Sequence, residues 1–166
     1  MGAVSKVCLL IMNKMYGLLL LLFSFFSVVA YSGVEYYQEA FNAIENGKTE
    51  DAIFYIDKIE NKNKSFDERA APKLITEAAR KNNFRIVKLL LDAGVDIDSM
   101  NGDAYTALLY SVKNGNSEMF EYLIKHNADL CAVTKWGDSI VDLAKEKDTK
   151  FYNRVKQVYD DEKCSD

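Results

Sequence analysis

A single histidine, three cysteines and a few acidic pairs are the residues of this 166-residue chain whose types can do chemistry. His126 stands just before Asn127, a residue that tolerates the end of a helix, and no partner is spaced to use it as a base. A solvated polar role is expected for it. Cys131 and Cys164 are far apart and lack histidine company, which does not fit a zinc site. Cys164 lies in the polar tail "DDEKCSD" with no fixed geometry, so the two thiols are read as free or adventitiously paired. Asp96 with Asp98, and Asp160 with Asp161, are carboxylate pairs of the kind a glycosidase uses, but nothing in a helical stack predicts a cleft between them. The sequence contains no Gly-rich phosphate loop, paired-histidine helix or nucleophile elbow. A non-enzyme without catalytic residues, metal or cofactor is expected.

The N-terminus differs from the rest. Lys6 and Lys14 precede an uncharged apolar run from Tyr16 to Ala30, ending in small residues. A basic start, a short apolar centre and a small pair at Val28 and Ala30 describe a signal peptide over residues 1–30, cut after Ala30 or after Ser32. Retention as an anchor is the alternative, although a spanning helix wants about twenty apolar residues. Either way the body is expected to be exported, periplasmic or secreted. The chain carries a formal charge of −4, and loss of Lys6 and Lys14 makes the body more acidic. That argues against a general nucleic-acid binder, which needs a basic face.

The body repeats itself. Glu77–Asp98, "EAARKNNFRIVKLLLDAGVDID", aligns without a gap on Tyr110–Cys131, "YSVKNGNSEMFEYLIKHNADLC". Ile86 and Val87 fall on Met119 and Phe120, Leu90 and Leu91 on Leu123 and Ile124, and Gly94 on Asn127. Leu74, Ile75, Ala78 and Ala79 make one apolar stripe at helical spacing, and Ile86, Val87, Leu90 and Leu91 make a second. Asn82 and Gly115 end the first helix of each unit, and Gly94 and Asn127 the second, by tolerating positive φ. Neither helix can bury its stripe alone, so the units must stack.

This pattern resembles the ankyrin-repeat family. "TALLYSV" from Thr106 is similar to the threonine-proline-leucine-histidine start of that repeat, without the proline and histidine. "GDSIVDLAKEKD", Gly137–Asp148, resembles a closing repeat with Ser139 in place of threonine. "KLITEAA" from Lys73 keeps the apolar and alanine pattern, and "AIENGKTEDAIFYI", Ala43–Ile56, has the layout of an opening unit. Between them "KIENKNKSFDERAAPK", Lys58–Lys73, reads as an expanded loop holding Pro72. The resemblance implies an all-α solenoid over residues 34–159, in units of about 34–72, 73–105, 106–138 and 139–159, with 160–166 as a flexible tail. Tyr36, Tyr37, Ala40, Phe41 and Ile44 would cap one end, and Phe151, Tyr152, Val155, Val158 and Tyr159 the other. An "NKS" sequon at Asn63–Ser65 is a weak sign of glycosylation.

Partners in this family meet hairpin tips and inner helices. By register, Gly102, Asp103 and Tyr105 stand on one tip, and Lys135, Trp136 and Asp138 on the next. Arg80 and Lys81, Lys113 and Asn114, and Glu146 and Lys147 stand on inner-helix ends, with Tyr110 on an inner helix. Trp136, the sole tryptophan, is the residue to single out, because interfaces concentrate energy in exposed aromatics. Its alternative role is to fold back over the last repeat. With a lysine-, asparagine-, isoleucine- and tyrosine-rich composition and a signal-like start, the chain resembles small exported ankyrin proteins of host-associated bacteria. The implied function is a monomeric protein-binding module with a protein partner, no nucleic acid, and membrane contact only through an uncleaved N-terminus. An anchored structural or protective envelope component is the alternative.

Overall fold

The computed structural model describes residues 36–63, 71–162 and Cys164. The expected signal segment 1–30 lies outside the described residues, and the sequon reaches beyond them. Among the described residues eight helices run in order: α1 over residues 36–45, α2 Thr49–Asn63, α3 Ala71–Arg80, α4 Phe84–Asp92, α5 Ala107–Asn114, α6 Ser117–Lys125, α7 Ile140–Ala144 and α8 Thr149–Glu162. No strand occurs among the described residues. Helix α3 packs on α4, α5 on α6, and α7 on α8. The first helices of successive pairs form an inner layer, α3 on α5 on α7, while α2 meets α4 in the outer layer.

The turns inside each pair follow from backbone preference. Gly47, Asn82 and Gly115 all adopt positive φ after the first helix, and Gly94 and Asn127 do so after the second. In each turn two successive N–H groups reach back to close the helix, as Asn82 N to Ala79 O at 2.9 Å and Asn83 N to Ala78 O at 2.8 Å. This satisfies carbonyls that a helix end leaves open. The next helix then starts on a side-chain cap: Asn83 Oδ1 accepts from Ile86 N, and Asn116 Oδ1 from Met119 N. These caps also join one unit to the next, since Asn83 Nδ2 donates to Thr49 Oγ1 and Asn116 Nδ2 to Asn82 Oδ1.

Equivalent residues do equivalent work in the core. Ile86, Val87 and Leu90 are fully buried, as are Met119, Phe120 and Leu123 one unit later, while Leu91 and Ile124 are both half-buried. Burial of each such side chain contributes about 1.5–3 kcal/mol. Ala78 and Ala79 have no exposed surface, and their small size lets α5 approach α3. At the ends, Tyr37, Ala40 and Ile44 close one side, and Phe151 and Val155 the other. Exposed ion pairs, Arg85 with Glu50 and Arg154 with Glu121, tie successive outer helices; each is worth at most about 1 kcal/mol.

Three expectations change. The segment Lys58–Lys73 is not a loop throughout: α2 continues to Asn63 and α3 begins at Ala71, with Pro72 in its first turn, where a missing N–H costs nothing. Helix α8 runs past Tyr159 to Glu162. Cys131 and Cys164 form a disulfide, with Cα atoms 5.3 Å apart. The added turn of α8 carries Cys164 back beside the loop after α6, within reach of Cys131.

Candidate partner-binding surface

Each tip is built around one buried or half-buried polar side chain. Asn101 Oδ1 accepts from Asp103 N and Tyr105 N, both at 3.0 Å, and Asn101 Nδ2 donates to the Tyr110 hydroxyl at 3.0 Å. One unit later Thr134 Oγ1 accepts from Trp136 N at 3.3 Å and Asp138 N at 3.1 Å. Asn101 and Thr134 are thus equivalent organisers that spacing alone did not single out; their shared register with Asp103 and Trp136 was the available signal. The tips are linked by Lys135 N donating to Asp103 O at 3.1 Å and by an ion pair between Lys135 and Asp103.

Trp136 is 61% exposed and does not fold back over the last repeat. Its ring stands edge-on to Tyr105 at 6.3 Å, and Lys135 Nζ lies 4.5 Å from its centroid. Tyr105 and Tyr110, expected on the contact surface, are instead 5% and 6% exposed. They stack at 4.6 Å and form a floor behind the tip. The physical reason is that Asn101 draws both inward, while Lys113 Nζ covers Tyr105 and bonds its hydroxyl at 3.1 Å. Burial pushes the Tyr110 phenol above its ordinary range, against the hydrogen bond from Asn101 and the charge of Lys113, so it remains neutral.

Along the inner-helix ends, Arg80, Lys81, Lys113, Asn114 and Glu146 are exposed and Lys147 half-exposed. Asn114 is already committed: its Nδ2 donates to Ala79 O at 2.8 Å and Arg80 O at 3.3 Å, sealing the end of α3. Glu77 holds Arg80 through two hydrogen bonds, 2.7 and 2.5 Å, which raise the guanidinium further above its usual range. Gly102 is exposed and Asp103 and Asp138 half-exposed; Asp138 accepts from Thr134 Oγ1 at 3.2 Å.

The residues weighed for chemistry have structural partners. His126 is exposed, its Nδ1 2.8 Å from Tyr122 O and its ring stacked on Tyr122. Asp96 accepts from Asp98 N, Asp98 from Asp129 N, and Asp160 pairs with Lys156.

Paired helices, repeated caps and linked tips define the class: a helix-pair repeat stack with a tip-and-inner-helix surface. Over residues 75–124 the repeat matches a family model described as "Ankyrin repeats (many copies)". The chain is similar to ankyrin repeat proteins of fowlpox virus (33% identical over 64 residues, 39% of this chain and 15% of that protein) and Coxiella burnetii (35% over 74 residues, 45% and 22%). It is also similar to human ankyrin repeat domain-containing protein 40 (27% over 89 residues, 53% and 24%). It spans less than a quarter of the length of each. Such repeats are protein-interaction scaffolds.

Proposed function

We propose that this chain is an exported, non-catalytic protein-binding module whose partner meets the Trp136 tip and the adjoining inner-helix ends. The observation that carries this reading is the exposed indole of Trp136, fixed on a hydrogen-bonded tip against a buried tyrosine pair. A rigid exposed aromatic loses little entropy on binding, which suits it to anchor an interface. Export is supported by the basic-then-apolar start and by the Cys131–Cys164 bond, because disulfides persist in oxidising compartments.

Two measurements test it. Proteins captured by tagged wild-type chain are compared with those captured by Trp136→Ala; loss of a specific partner with unchanged far-UV circular dichroism is expected, and equal capture refutes the surface. N-terminal sequencing of the protein from its producing cell is expected to begin at Tyr31 or Gly33. An intact start in the membrane fraction would replace a released body with an anchored one.

A further inference from the structure

We propose that the partner segment lying on the inner-helix ends is an acidic, extended peptide, its carboxylates on Lys81, Lys113 and Lys147 and a neighbouring apolar side chain on Trp136. This rests on the protein-binding reading above and specifies its chemistry.

Arg80 with Lys81, Lys113 and Lys147 stand at or just beyond the inner-helix ends of three successive units. Asn114 bonds the last carbonyls of α3, so the end of α5 that carries Lys113 lies against the end of α3 that carries Arg80 and Lys81. Lys147 crosses Gly115, its Cδ lying 3.7 Å from where a Cβ there would stand. Arg80 and Lys135 are neutralised by Glu77 and Asp103, whereas Lys81, Lys113 and Lys147 have no ion pair with a carboxylate among the described residues. Lys113 donates to the Tyr105 hydroxyl and to no carboxylate among the described residues. An uncompensated basic patch on a chain of net charge −4 complements a negative ligand, and such charges steer encounter and set register.

The borders of the patch favour a peptide over a nucleic acid. Glu45 approaches Arg80 on one side, and Glu146 is exposed on the other, while Asp103 and Asp138 occupy the tips. A phosphodiester backbone carries charge at every step and would meet these carboxylates. A peptide can place a few carboxylates on the lysines and keep neutral residues elsewhere. Trp136, edge-on to the Tyr105 ring that Lys113 covers, then takes an apolar residue.

The sole tryptophan makes the test direct. Trp136 fluorescence of the full chain is followed while adding an end-blocked decapeptide of alternating glutamate and leucine. The glutamine counterpart of that peptide and a short oligothymidylate serve as the other probes. Saturable change with the glutamate peptide is expected, weakened roughly tenfold in a Lys81→Gln, Lys147→Gln double variant and by salt near 0.5 M. Lys125→Gln, on the outer helix α6, should bind as wild type. Equal binding of the glutamine peptide, tighter binding of the oligonucleotide, no response, or an unaffected double variant would overturn the proposal. If Trp136→Ala still loses its captured partner while the glutamate peptide fails, only the chemistry assigned here falls; if both fail, the surface itself does.

Discussion

Two equivalent tip residues show how much a single backbone angle contributes. Gly137 sits at φ +85 and Ala104, one unit earlier, at φ +57. A left-handed conformation costs an L-residue about 1–2 kcal/mol, and glycine avoids that cost. Nothing stands within 4 Å of a Cβ added to Gly137, so a substitution there reports backbone strain without a clash. Gly137→Ala is expected to lower stability by about 1 kcal/mol in urea unfolding. Ala104→Gly should raise it by a few tenths to about 1 kcal/mol, the gain reduced by glycine's freer unfolded chain. The same sign for both variants would refute this account. Conformational need was legible in the sequence where Asn and Gly occupy it, at Asn82, Gly94, Gly115 and Asn127. It was hidden at Ala104, whose type does not advertise the angle. Tyr105 and Tyr110 were misplaced for a related reason: register assigns a residue to a tip but not its ring to the inside or outside, and that depends on Asn101.

At the scale of the element, α7 is a five-residue helix, too short to persist on propensity alone. A capping box starts it: Ser139 Oγ accepts from Asp142 N at 3.2 Å, and Asp142 accepts from Ser139 N at 3.0 Å. The hydrogen bond from Lys145, then those from the Ser139 side chain and backbone, hold the Asp142 carboxyl far below its ordinary 3.8. A depressed carboxyl stabilises the fold above its unfolded pKa, and that contribution is lost as pH falls through the folded value. Glu121, lowered by Arg154, acts in the same direction, whereas Asp98, raised by burial, opposes it. The thermal midpoint of the wild type is therefore expected to fall as pH drops below about 4, and Asp142→Asn should show a shallower fall. Parallel pH profiles for the two proteins would mean that the box does not hold α7. The box is readable from Ser139 and Asp142 at N-cap spacing, because it is local.

For the whole molecule, stacking makes stability a sum over neighbouring units, and a terminal unit lacks one neighbour. The repeat period made the stack legible, since each stripe demands a partner one unit away. The Cys131–Cys164 bond was not legible, because it depends on where α8 points after packing on α7. Its role follows from that position: it ties the end of α8 to the loop leaving α6 and closes a chain separation of 33 residues around the terminal unit. A loop of that length corresponds to about 4 kcal/mol of unfolded-state restriction. Cys131→Ser, or reduction of the wild type, is expected to remove about that much in denaturant unfolding. Hydrogen exchange should quicken first in α7 and α8 and least in α2 and α3, the helices farthest from the bond, as local opening in a linear stack requires. Uniform acceleration across all units would show instead that the stack opens as one piece and that the bond does not guard its end.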